Sequence, residues 1–367
     1  MKKCVLFGFA AAMTLASCTQ NEVLETSSQM DMSFGTFVDK STKTTGAQEN
    51  LEWKGSTFGV FGYYTSDVEW TEETTVFDNV EVTRGEAEGS WTYEVIKKWV
   101  PKKNYRFFAY APKTNSATVT ADVNASTVIM TDFQVAGTAD ENKVIPYGPK
   151  KQIDLMVANR YDRDNRLAFN NGVIGLNFKH ILTNVNLVFK SSSQYPVVLT
   201  KVQLNGVNTK GNAVTTTLPT TELNSLSTTW SDWSNSLSFA GALNTEGTPL
   251  ESTNPKENAT VNEPGAPFVS MANMLMIPQS FAKDALTLDI EYTVGGAGEN
   301  GNATFVRNIK LTNGEDGVNE WVSGTKITYN ITINTANGST DQQYDIVFGS
   351  TTTDKWADGA NGSGSAQ

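Results

Sequence analysis

From Met32 onward the chain is a succession of short runs in which apolar and polar side chains alternate, separated by Gly, Asn, Asp and Pro. The clearest run is residues 286–292. Leu286, Leu288, Ile290 and Tyr292 fall on one face, and Thr287, Asp289 and Glu291 on the other. A period of two marks a half-buried antiparallel strand, because successive Cβ atoms point to opposite faces of a sheet. Residues 57–63, 105–110, 187–190, 197–204 and 327–333 carry the same β-branched and aromatic bias. Apolar positions at helical spacing are scarce, and residues 179–182 fit either a turn of helix or the start of a strand. Strands at this spacing, punctuated by turn residues, predict an all-β fold of the sandwich type rather than a parallel sheet.

The 367 residues exceed one small sandwich, so two domains are expected. The polar stretch 161–166, followed by 170–172, is the best boundary, and it gives domains at 31–168 and 169–367. Within the second domain, residues 205–267 are rich in Thr, Ser, Asn, Gly and Pro, with Trp230 and Trp233 near the centre. That composition predicts extended loops with one or two strands. The Gly/Ser/Asn-rich tail after Asp358 predicts disorder.

The N-terminus has a different pattern. Lys2 and Lys3 precede an apolar run from Val5 to Ala16, the length of a signal-peptide core and too short to span a bilayer. It closes on Leu15, Ala16, Ser17 and Cys18, which resembles the lipobox of bacterial lipoproteins. The resemblance implies that residues 1–17 are removed and that Cys18 is acylated as the new N-terminus, with 18–30 as a tether. An ordinary secretory signal with an incidental cysteine is the alternative.

Composition narrows the chemistry. The only other cysteine, Cys4, lies in the segment that would be removed, so a mature chain has no disulfide, thiol nucleophile or cysteine metal site. A net charge of -11 without a basic block argues against nucleic acid and gives no electrostatic reason to sit on anionic lipid. His180 is the single histidine, flanked by Phe178, Ile181 and Leu182, and reads as a core or inter-domain residue rather than a base. Asp162 with Asp164, and Glu315 with Asp316, miss the ligand spacing of a calcium loop. Residues 295–301 are a glycine-rich hairpin loop and do not open a helix as a phosphate cradle would. The expectation is a non-enzyme without metal or cofactor.

An ordered set of landmarks then becomes visible: Cys18, a first strand at 32–37, residues 58–63, 154–159 and 176–185, Met276-Ile277-Pro278-Gln279, residues 321–333, and Trp356. Together they resemble the fimbrillin family, the lipoprotein-derived pilins of type V fimbriae. The resemblance implies two tandem transthyretin-like β-sandwiches behind a lipoprotein signal peptide. It implies a structural and adhesive fimbrial subunit, held on the outer membrane as a precursor and displayed in a cell-surface fimbrium. Its partners would be other fimbrial subunits and a maturation protease. In that family the first strand is cut away and a neighbour's strand replaces it, restoring both edge pairing and apolar contacts. Cleavage there usually follows an arginine, whereas this chain has none before Arg84 and offers Lys40 and Lys43 in the loop after the first strand. The donor segment would lie at the C-terminus, where Tyr344, Ile346, Phe348 and Trp356 are the apolar positions. The same segment could be the last strand of its own sandwich. A surface glycan-binding lipoprotein is the rival, with Trp53, Trp70, Trp91, Trp99, Trp230 and Trp233 as stacking candidates.

Overall fold

Alternation along the chain becomes pairing in space: twenty strands form three sheets, and no helix occurs among the described residues. The computed structural model describes residues 30–38, 56–66, 70–87, 89–135, 144–146, 152–162, 172–192, 195–217, 226–241, 248–250, 268–295, 302–311, 319–333, 346–348 and 352–355. Cys18, Lys40, Lys43, Trp53, Tyr344 and Trp356 lie outside them.

The first sheet has seven strands, in the order β1 (Ser33–Val38), β10 (Val173–His180), β9 (Met156–Asp162), β5 (Asn104–Ala111), β2 (Thr57–Thr65), β3 (Thr74–Arg84) and β4 (Trp91–Thr92). Its central strands are buried on both faces, which explains the nearly continuous apolar runs of β2 and β5. Phe58, Val60, Phe107 and Ala109 point into one core, shared with Met32, Phe34 and Trp99. Phe61, Phe108 and Tyr110 alternate with them and join a larger core under the other two sheets.

The second sheet runs β17 (Asn302–Lys310), β16 (Thr287–Gly295), β12 (Val197–Thr217), β13 (Leu226–Ala240) and β8 (Val144–Pro146). β14 (Thr248–Pro249) and β7 (Thr127–Gln134) also pair with β12, and β6 (Thr118–Asp122) pairs with β7. The third runs β15 (Phe268–Met276), β11 (Thr183–Ser191), β18 (Thr325–Ile333) and β19 (Ile346–Phe348), with β20 (Thr352–Lys355) also on β18. Strands β7 and β8, early in the chain, thus pair with late strands, while β10 closes onto β1. Residues 179–182 join β10 to β11 without a helix.

β16 shows the expected alternation, with Leu288, Ile290 and Tyr292 fully buried. Gly295 pairs with Asn302, so the glycine-rich stretch joins an antiparallel hairpin. Residues 205–267 contain more strand than their composition suggests. β12 continues to Thr217 and pairs with β13 along its length. Its inward positions there are Val207, Thr209, Gly211, Ala213 and Thr215, so burial alternates although hydrophobicity does not. Trp230 supplies the missing bulk: its ring lies 3.6 Å from where a Cβ on Gly211 would sit and meets Phe133 edge-on at 5.8 Å. The inward threonines are satisfied, Thr209 Oγ1 donating to Asn235 O at 2.9 Å and Thr215 sharing a hydroxyl–hydroxyl bond with Thr228.

The third sheet is anchored on β18, which pairs in parallel with β11 and antiparallel with β19 and β20. Trp321 Nε1 donates to the Tyr329 hydroxyl at 3.0 Å, both side chains being buried. Burial raises the Tyr329 pKa well above its ordinary value, so the hydroxyl stays protonated. Removing that oxygen strands the indole N–H in an apolar site. Tyr329→Phe is therefore expected to cost about 1–3 kcal/mol in urea unfolding, with the native secondary structure retained.

Candidate functional site

The first strand is the candidate site. β1 is an edge strand, paired in parallel with β10 from Ser33↔Val173 to Val38↔Phe178. Such an edge has a row of main-chain groups that one neighbour alone cannot satisfy. Its beginning is held by a further set of hydrogen bonds. Met32 N donates to Lys97 O at 2.8 Å, Trp99 N donates to Met30 O at 3.0 Å, and Ser33 N donates to Gly172 O at 3.1 Å. The Tyr93 hydroxyl donates to Met32 O at 2.7 Å, and the Trp99 indole N–H donates to Gly172 O at 3.2 Å. An exposed ion pair, Lys98 Nζ to Asp31 Oδ1 at 2.6 Å, closes this end.

Side chains supply the rest of the attachment. Met32 and Phe34 are buried. The Phe34 ring meets Phe58, Phe77 and Tyr93, each at a centroid distance of 5.5 Å, in edge-on or tilted geometry. Phe58 in turn touches Trp91 at 4.9 Å and Phe178 at 5.6 Å. This aromatic floor and the edge of β10 form the furrow in which β1 lies. Phe34 fills the furrow, and the next position is tight, because a Cβ on Gly35 would lie 3.1 Å from Val173 Cγ1.

The other expected residues are distributed as follows. Ile346 and Phe348 lie in β19, paired with Ile333 and Ile331 of β18. His180, at the end of β10, has its Nδ1 2.8 Å from Asp154 Oδ1, and both side chains are almost fully buried. Beside it, Ile181 O accepts from the Trp230 indole and the Ser323 hydroxyl, so the pair lies where β10 passes into β11 and meets two other elements. Of the tryptophans raised for sugar stacking, Trp70, Trp91, Trp99 and Trp230 are buried, and Trp233 is exposed with its indole N–H fixed on Pro278 O at 2.8 Å. Among the described residues, no group of three or more His, Cys, Asp or Glu side chains could hold a metal ion. The clamp around residues 30–32, built by Tyr93, Lys97 and Trp99, has no signal in the sequence pattern, since the strands it joins are far apart in the chain.

Comparison with known proteins places the chain in a family. A family model described as fimbrillin-like matches residues 42–356. The fimbrium subunit Fim1C of Phocaeicola vulgatus is 27% identical over 182 residues, which cover 48% of this chain and 48% of that protein. The chain therefore spans about half the length of the curated relative it matches. Among solved structures, a fimbrial protein from Bacteroides vulgatus matches with a TM-score of 0.56 at 18% identity, over 89% of this chain and 99% of that one. At that identity the likeness speaks for the fold alone.

Proposed function

The chain belongs to the fimbrillin-like family, and we propose that it is a structural and adhesive subunit of a bacterial surface fimbrium, exported as a lipoprotein and assembled by strand exchange. The observation that carries this reading is β1, an edge strand whose Phe34 fills an aromatic pocket. An occupant that is bound along one edge and through a few deep side chains can be exchanged for a sequence with the same pattern. Burying Met32 and Phe34 stabilises by roughly 1.5–3 kcal/mol each, and a donor strand would recover the same amount. The contact is head-to-tail, because donor and acceptor surfaces differ, so repetition gives a filament rather than a closed dimer.

In this reading the outer membrane holds the precursor through lipid on Cys18. A protease then cuts after Lys40 or Lys43, in the loop that follows β1. The donor is the C-terminal segment with Tyr344, Ile346, Phe348 and Trp356. That segment contains β19 and β20, which pair with β18 over three and four residue pairs, so its release gives up seven pairings on one strand edge. Other subunits of the same fibre are the partners, and no catalytic role is assigned.

The test is the N-terminal residue and mass of the protein taken separately from surface fimbriae and from membranes. A new N-terminus just after Lys40 or Lys43 in the fibre fraction is the expected result. Finding only acylated Cys18, and only in membranes, would sink the reading of a processed, strand-exchanging subunit.

A further inference from the structure

Four of the eight large hydrophobic side chains exposed among the described residues gather at the end of the molecule where β1 begins. Val95 and Ile96 are 60% and 55% exposed, and they are the only adjacent pair among those eight. Met30 and Val173 are the other two. They lie together because Met30 O accepts from Trp99 N, three residues beyond Ile96, and because Val173 opposes Ser33. Gly172, with φ +70°, approaches so closely that a Cβ there would lie 3.0 Å from Met30 Sδ. The loop bearing the apolar pair, residues 93–103, also carries Lys97, Lys98, Lys102 and Lys103 against Glu94, with Asp31 nearby and paired to Lys98. The chain-wide charge of -11 conceals this local cationic excess.

We propose that this end of the molecule rests on the bilayer, with Val95 and Ile96 in the interfacial layer, Met30 and Val173 beside them, and the lysines among anionic headgroups. The inference rests on the reading of Cys18 as acylated. Eleven residues separate Cys18 from Met30, a covalent reach of at most about 40 Å. A tether that short keeps the body at the membrane, and the loop bonded to the point where the tether joins the sheet is the part brought nearest to it. An apolar tip with lysines in the same loop is a combination that partitions into an anionic interface. Two weak anchors acting together, lipid and loop, also hold far better than either alone. The loop would orient the precursor, with β1 and its clamp facing the membrane until cleavage releases the body.

The experiment uses the full acylated chain in vesicles of phosphatidylcholine and phosphatidylglycerol. Ile96→Cys provides a single labelling site for an environment-sensitive fluorophore, because Cys18 is acylated and Cys4 is removed. Val306→Cys, at least as exposed but on the β17 edge, is the control. A blue shift and quenching by a lipid-borne quencher at position 96, absent at 306, is the expected result. If position 96 stays in water while mass spectrometry shows acyl groups on Cys18, the loop proposal is overturned and the lipid reading stands. If no acyl mass is found, both fall. Shielding of position 96 in lipid-free fibres but not in vesicles would assign the patch to a neighbouring subunit and also overturn the proposal.

Discussion

Replacing Phe34 with alanine lowers the free energy of unfolding by about 3–5 kcal/mol. The side chain is 4% exposed and its ring meets three others, Phe58, Phe77 and Tyr93. Those rings come from β2, β3 and the loop after β4, so the cavity left behind borders three separately placed elements that cannot collapse together. The edge-on contacts add their own share to the area term. Urea unfolding of the purified chain reads the cost. The same variant bears on assembly, because a synthetic strand carrying the Phe34 side chain should bind a β1-deleted chain, and its alanine counterpart should bind far more weakly. A cost below about 1 kcal/mol would mean that β1 is not part of the sheet's stability, and the furrow would lose its meaning as an acceptor.

Gly206→Ala should be the more damaging of two matched glycine changes. Gly206 has φ +83° and lies in β12 at the register shift between Leu204 and Val207. A Cβ there would fall 2.1 Å from Ala285 O, a backbone atom. That carbonyl has little freedom, since Ala285 N donates to Ala282 O and the next residue's carbonyl accepts from Leu311 N at 2.9 Å. The expected loss is on the order of 3 kcal/mol or more, from the clash together with the left-handed backbone. Gly89→Ala separates the two causes. Gly89 has φ +74° but nothing within 4 Å of the added carbon, so it should lose only about 1 kcal/mol. Equal thermal shifts for the two variants would refute the close approach of β12 to residue 285.

The strands that could be read from the sequence are those whose inward residues are themselves apolar. Leu288, Ile290 and Tyr292 alternate with polar neighbours, and the burial of β16 follows them residue by residue. β12 escapes such a reading because its inward face, from Thr209 to Thr215, is made of small and hydroxyl-bearing residues. The bulk that covers them comes from Trp230 on another strand, and a local window does not see it. The first strand was legible through its resemblance to a known family, and Phe34 lies within it. Its parallel partner was not, because periodicity reports which face a residue takes and never which strand lies alongside. Charge behaved similarly. A single total for the chain hides the four lysines between residues 97 and 103, of which Lys97 and Lys98 are brought to the start of β1.

The parallel pairing of β1 with β10 also has a kinetic side. Ser33 finds Val173 only after nearly all the other strands of that sheet have been made, since they lie between the two in the chain. Closing so long a loop is unfavourable before the intervening strands have condensed, so β1 docks late, after the barrier has been crossed. Substitutions in β1 should therefore act mainly on how fast the native state opens and hardly on how fast it forms. A strand that docks last leaves the folding nucleus intact when it departs, so under the proposed strand exchange a subunit would be stored closed and reopened later without being rebuilt.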